Sequence, residues 1–235
     1  MLLKKWIAKK VRYFHAACSK NLYDEAHATR LLTSLSPLIV DWTYLPITDW
    51  AAGPEYYAHI CNDIVVNGKN NVVECGSGIS TILMARLINK NNLPAKIVSI
   101  DHDADWQHVV AKILESDGIR DVVQFMHSPL ESTDGYSWYD TKRLNFPEGF
   151  CVDTVIVDGP IGNVPLARYG AVPYLHKFLS RKCYTIYLHD TDRRDELEIS
   201  QRWTAMLPDS TVEYRSRYVV FQFGTRFCFS PQGQT

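Results

Sequence analysis

Val72-Val73-Glu74-Cys75-Gly76-Ser77-Gly78-Ile79-Ser80-Thr81 opens as a short apolar strand, passes two glycines one residue apart, and runs on as a helix to Ile88. Glycine accepts positive φ and close backbone approach, so Gly76 and Gly78 suit a tight strand-to-helix turn with its N–H groups exposed. Working outward, the alternation repeats. Residues 96–101 read as a strand, and 104–115 as a helix with Trp106, Val109, Val110, Ile113 and Leu114 on one face. Further strands are expected at 122–126, 154–157 and 184–188, and a further helix at about 195–207. Such alternation implies right-handed βαβ units in a mostly parallel, doubly wound sheet. Beyond that helix the chain turns purely β: a strand over 211–223, a turn at Gly224-Thr225 and a strand over 226–229, which must pair antiparallel. Residues 129–150 lack a clear period and are expected as a loop with short helical pieces. Upstream, helices are expected at 2–18, 23–35 and 52–66, where Asn67-Gly68 is a stop signal. The chain therefore divides into an N-terminal helical segment, 1–66, and an α/β domain, 67–235.

Composition narrows the classes. The 235 residues are 46% hydrophobic and 22% charged with a net charge of −1, ordinary for a soluble globular protein and without the basic field of a nucleic-acid binder. Residues 1–20 nevertheless hold six bases and no acid, with Leu3, Ile7, Val11, Phe14 and Cys18 on one stripe. This reads as a docking helix against the fold or a second copy of the chain, in preference to a membrane-surface helix. Its lysines interrupt any signal-peptide core, and no run approaches the roughly 20 apolar residues of a membrane span. Six scattered cysteines without a CxxC pair argue against structural zinc and a disulfide framework, and point to a reduced, cytoplasmic compartment.

In open α/β sheets ligands bind at the carboxyl ends of the strands. Asp101 ends the second strand, 25 residues after Gly76, where an acid can accept hydrogen bonds from a ribose diol. His127-Ser128 ends the third, Asp158-Gly159-Pro160 the fourth and His189-Asp190-Thr191 the fifth. Asp158 and Asp190 are expected on neighbouring strands, facing one reaction centre.

Glu74-x-Gly76-x-Gly78 with Asp101 and Asp158 resembles the motifs of class I S-adenosylmethionine-dependent methyltransferases. The Asp158-Gly159-Pro160 and Arg168-Tyr169 stretches are most similar to small enzymes of this family acting on small molecules or glycans. The resemblance spans about residues 50–230 and implies the Rossmann-like seven-stranded sheet with a reversed last strand. It further implies a cofactor site in which Gly76 and Gly78 approach the methionine end and Asp101 binds the ribose hydroxyls, with Ser77, Ser80, Thr81 and His102 among the cofactor-binding residues. Ser128 would contact adenine, Trp106 would form an apolar wall, and Glu74 would meet the amino group directly or through water. Arg168 and Tyr169 are the candidate substrate-binding residues. For the chemistry the resemblance offers Asp158, His189 and Asp190, with Asp158 and Asp190 also as ligands of a Mg²⁺ ion. The position three residues after Asp158, where many relatives carry a basic side chain, is Ile161.

Each assignment has a plainer counterpart. Asp190 could cap the following helix or pair with Arg193 or Arg194. Arg168 could form an ion pair with Asp158 or Asp190. Trp42, Tyr44, Trp50, Tyr56 and Tyr57 could be core or line an acceptor pocket. A dinucleotide-dependent oxidoreductase would need a third glycine where Thr81 stands. A non-catalytic cofactor-binding partner subunit is the rival to an O-methyltransferase of a small hydroxylated acceptor.

Overall fold

A computed structural model describes residues 23–133, 135–161 and 165–231. The expected helix at 2–18, with its basic stripe, lies outside the described residues. After a helix at 23–35 (α1), the elements are α2 (Pro54–Val66), β1 (Asn71–Cys75), α3 (Ile79–Lys90), β2 (Lys96–Asp101), α4 (Ala104–Ser116) and β3 (Val123–His127). There follow β4 (Leu130–Thr133), β5 (Tyr136–Tyr139), β6 (Thr154–Val157), α5 (Ala171–Leu175), β7 (Tyr184–His189), α6 (Arg194–Met206), β8 (Thr211–Tyr214) and β9 (Tyr218–Phe223). Seven strands form one sheet in the order β3-β2-β1-β6-β7-β9-β8. The first five are parallel, and β9 runs antiparallel to both β7 and β8. This is the mostly parallel sheet expected from the alternation of elements, with the seven strands and the reversed last strand that the resemblance implied.

The period of two along each strand splits the core into two layers. Val72, Ile97, Ile156, Tyr187 and Val220 face α1, α2 and α3. Val73, Val98, Val155, Ile186 and Phe221 face α5, α6 and the β4–β5 hairpin. Both faces are covered, so the strands read as nearly continuous apolar runs. Local chemistry sets the helix starts: Pro54 opens α2, and Asp103 caps α4 by accepting from the N–H groups of Asp105 (3.0 Å) and Trp106 (2.9 Å).

Two expectations are corrected. The hairpin does not turn at Gly224-Thr225; its turn is Arg215–Arg217, closed by the Arg215 N–H donating to the Tyr218 carbonyl at 2.8 Å, and residues 226–229 form no strand. Gly224 serves another purpose. A Cβ there would lie 2.1 Å from the Lys182 carbonyl oxygen, so the glycine lets the end of β9 pass beside the start of β7. Residues 129–150 hold a hairpin where only loop and short helical pieces were expected: β4 and β5 pair antiparallel, Leu130 opposite Tyr139. The hairpin forms because Trp138 and Tyr139 bury their rings in the second core layer, a tertiary gain that local periodicity does not announce. The helical piece is the short 3₁₀ turn Thr141–Arg143.

Candidate active site

A cavity of about 450 Å³ opens at the carboxyl ends of β1, β2, β6 and β7, within the range of small-molecule sites. Its floor is the contact between two strand-to-helix turns. Gly76 has φ +98°, and a Cβ on it would lie 2.7 Å from the Gly159 nitrogen; a Cβ on Gly159 would lie 2.7 Å from the Gly76 Cα. The two backbones touch only because neither residue has a side chain. Gly78 differs: its φ is extended, and nothing lies within 4 Å of a Cβ built there.

Asp101 lines the cavity and is 5% exposed. Its Oδ2 accepts the Ser77 N–H at 2.7 Å, and its Oδ1 accepts the Asp103 N–H at 2.9 Å. Burial raises its pKa, against those donors and the neighbouring His102. Oδ1 also lies 3.2 Å from His102 Nδ1, whereas Oδ2 has a single donor and retains capacity for a second bond. Ser77, Gly78, Ser80, His102, Asp103 and Trp106 line the same end. The Trp106 indole is oriented by Nε1–H donating to the Ser77 carbonyl at 2.7 Å.

Three expected cofactor contacts lie elsewhere. Glu74 is fully buried beneath the loop, where the hydroxyls of Ser80, Thr81 and Ser99 donate to its carboxylate. Burial pushes its pKa up to about 7 against those hydroxyls. Thr81 is also buried, and its hydroxyl accepts the Gly78 N–H at 2.8 Å, so Glu74 and Thr81 hold the turn from below. Ser128 is buried outside the cavity lining, its hydroxyl donating to the Asp140 carbonyl at 2.9 Å.

At the other end, β6 and β7 bring Asp158, His189 and Asp190 together. One ligating atom of each lies within 4.8 Å of the others. Arg168 spans the two acids, its Nη2 being 3.1 Å from Asp190 Oδ2 and 3.4 Å from Asp158 Oδ1. The His189 Nδ1 is 3.0 Å from Asp158 Oδ1 and 3.3 Å from Asp190 Oδ1. The cation that two adjacent carboxylates require is thus supplied by the chain itself.

The donor set does not suit Mg²⁺. Asp190 Oδ1 faces Arg217 Nη2 at 2.7 Å and His189; Oδ2 faces Arg168 and, at 3.1 Å, Arg193 Nη1. Asp190 accepts hydrogen bonds from Arg168 and Arg217 and pairs with Arg193 and His189, so both of its oxygens are engaged, whereas Mg²⁺ needs free carboxylate oxygens beside its waters. The expected pairing of Asp158 and Asp190 as metal ligands does not fit this arrangement: both oxygens of Asp190 face guanidinium groups, which leaves only Asp158 Oδ2 open.

Burial opposes charge on His189, but its hydrogen bonds to Asp158 and Asp190 and their charges outweigh this and raise its pKa to about 9. The raised pKa favours a proton held between the two acids, which disfavours the expected role of His189 as a base. Those same contacts, from His189 first and then the arginines, hold Asp190 well below the usual carboxylate range although burial opposes it. A histidine raised in the folded state stabilises fully below its unfolded pKa of about 6.5, and that stabilisation fades as pH rises through about 9. We expect the unfolding free energy to fall by about 3 kcal/mol between pH 6.5 and 9 from this group. His189→Gln should flatten that part of a pH series of urea melts.

The ion-pair counterpart for Arg168 is what the geometry shows; it is buried and also donates to the His189 carbonyl at 3.0 Å. Tyr169 does not line the cavity; its ring packs on Tyr136 and beneath Arg202. Asp190 does not cap α6, whose N-cap is Arg193. Of the aromatic candidates, Trp50 and Tyr57 line the cavity. Trp42 instead packs against Arg86, Tyr44 points to solvent, and Tyr56 packs on the His189 ring. Tyr139, Arg193, Arg217 and the 46–51 segment complete the lining. Arg217 was out of reach of sequence reasoning because it arrives from the β8–β9 turn.

No helix among the described residues is long and apolar enough to cross a membrane. No curated protein sequence matches the chain. Among solved structures, the O-methyltransferase TomG from Streptomyces achromogenes, solved with SAM, aligns with TM-score 0.55 and 16% identity over 83% of this chain and 90% of its own. An O-methyltransferase from Bacillus cereus, solved with SAH, aligns with TM-score 0.54 and 13% identity over 84% and 90%. A methyltransferase from Geobacter sulfurreducens gives 0.53 and 13% over 83% and 90%. At these identities the likeness is one of fold. The methyltransferase-domain family model matches residues 73–191, a span from β1 through the end of β7 that contains the glycine turn, Asp101, Asp158 and Asp190; by that match the chain belongs to the methyltransferase-domain family.

Proposed function

We propose that this methyltransferase takes its methyl group from S-adenosylmethionine and transfers it to a hydroxyl oxygen of a small acceptor, a sugar or a metabolite, without a divalent metal. The observation that carries the donor assignment is Asp101, a buried cavity-facing carboxylate fixed by the Ser77 and Asp103 N–H groups beside the Gly76–Gly159 contact. Similar folds solved with SAM and with SAH support the same donor.

The ribose hydroxyls would donate to Asp101, with Trp106 forming one wall and Gly76, Ser77 and Gly78 approaching the methionine end. The donor supplies an electrophilic methyl on a sulfonium. The chain supplies alignment, which accounts for much of the rate in an in-line displacement, and a place for the acceptor proton. Asp158 is suited to that place. Its Oδ1 faces His189 and Arg168, while its Oδ2 has no hydrogen-bond or ion-pair partner among the described residues, and the side chain is 21% exposed. Asp158 Oδ2 would accept the hydrogen bond of the acceptor hydroxyl, and its proton as the O–CH₃ bond forms and the S–CH₃ bond breaks. Trp50, 73% exposed at the mouth, and Ile161 offer apolar surface to the acceptor body.

Calorimetry with S-adenosylhomocysteine tests the donor assignment. The wild type should bind it, and Asp101→Ala should bind about 10- to 150-fold more weakly, the equivalent of one charge-assisted hydrogen bond of about 1.5–3 kcal/mol. Absence of binding by the wild type, or equal affinity in the variant, refutes it.

A further inference from the structure

We infer that the acceptor carries an oxyanion, a carboxylate or phosphate group, which docks on Arg193 and Arg217. This rests on the reading of the cavity as an acceptor site and narrows its substrate class.

The two guanidinium groups reach the cavity from different elements, Arg193 from the N-terminus of α6 and Arg217 from the β8–β9 turn. One carboxylate orients both: Arg193 Nη1 lies 3.1 Å from Asp190 Oδ2, and Arg217 Nη2 lies 2.7 Å from Asp190 Oδ1. Arg168 and His189 approach Asp190 from the buried side and are shared with Asp158. Both outer arginines are about half exposed, with side-chain exposures of 47% and 50%. Arg193 keeps Nε and Nη2, and Arg217 keeps Nη1, without a partner among the described residues. Asp190 thus fixes two forks whose free edges offer several N–H donors, the arrangement that recognises planar or tetrahedral oxyanions.

Four cationic groups (Arg168, His189, Arg193, Arg217) meet three carboxylates (Asp158, Asp190, Glu196). The nearest further acid, Asp192, is half exposed, 3.6 Å from Arg217 Nε, and does not line the cavity. With Asp192 the cluster is balanced, and an acceptor anion would compete with that carboxylate for Arg217. Asp49 and Asp103 also line the cavity, but they belong to the 46–51 segment and to the Asp101 end. An acceptor anion on the two arginines would place the rest of the molecule toward Asp158.

The test titrates inorganic phosphate, and separately benzoate, into the protein saturated with S-adenosylhomocysteine at constant ionic strength. Saturable millimolar binding of at least one probe is expected. R193A/R217A should weaken it at least tenfold, and R217Q alone about threefold. D192N, which removes the competing carboxylate beside Arg217, should tighten it about twofold. S-adenosylhomocysteine affinity is measured first in every variant and serves as the control for folding. A wild type that does not bind it overturns the methyl-donor reading, and this inference with it. If it binds, the inference alone is overturned by no saturable probe binding, by equal affinity in R193A/R217A, or by no tightening in D192N. Should the double variant fail to fold, R217Q and D192N must still move affinity in opposite directions.

Discussion

Asp158→Asn should lower the methyl-transfer rate by about two to four orders of magnitude, the usual worth of a positioned acid or base. S-adenosylhomocysteine affinity should stay nearly unchanged. Asp158 ends β6 at the cavity, and its Oδ1 is held by His189 at 3.0 Å and Arg168 at 3.4 Å. Asparagine keeps the size of the side chain but cannot serve as a carboxylate base. In the wild type His189 is not the free base, because Asp158 and Asp190 together raise its pKa to about 9; the variant keeps only Asp190 of those two acids. Chelator should leave wild-type turnover unchanged, since the oxygens of Asp190 are already met by N–H groups of four residues. The measurement is S-adenosylhomocysteine release with an acceptor found by screening, in the wild type and Asp158→Asn, each with and without chelator. Full activity in Asp158→Asn would remove the carboxylate from the proton-transfer step. Loss of wild-type activity on chelation, restored by Mg²⁺, would overturn the metal-free account.

Arg168→Ala should destabilise the fold by about 3–5 kcal/mol, the cost of stranding buried carboxylates by removing their partner. Arg168 is 4% exposed and faces Asp158, Asp190 and, at 3.8 Å, Glu196. It also donates to the His189 carbonyl at 3.0 Å, joining the turns after β6 and β7. Burial works against its charge, but the three acids more than compensate and raise its pKa. Without it Asp158 and Asp190 keep only His189 between them and repel. Urea melts at pH 7 measure the loss. The deficit should narrow as pH falls and the stranded acids take up protons. A change below about 1 kcal/mol at pH 7 would mean that Arg168 acts on the acceptor and not on the fold.

The alternation of strands and helices, and with it a mostly parallel sheet, was legible in the linear chain because the information is local, whereas the order of the strands was not. Apolar runs alternating with helix-period stretches, and the glycine turn from Glu74 to Thr81, determine strands, helices and their parallel sense from nearest neighbours alone. The strand-end rule likewise placed Asp101, Asp158 and Asp190 at one edge, since a strand's carboxyl end is readable wherever the strand is. What tertiary structure decided is the company each polar group keeps. Glu74 turns beneath its loop because three hydroxyls meet it there. The β4–β5 hairpin exists because Trp138 and Tyr139 find a core. Arg168, His189, Asp190, Arg193 and Arg217 form one network although they come from the segment after β6, the end of β7, the start of α6 and the β8–β9 turn. Periodicity is written along the chain, whereas charge pairing depends on the distances that folding creates. The same carboxylate can therefore be a metal ligand, a helix cap or the hub of an arginine cluster, and only the convergence of remote segments selects among them.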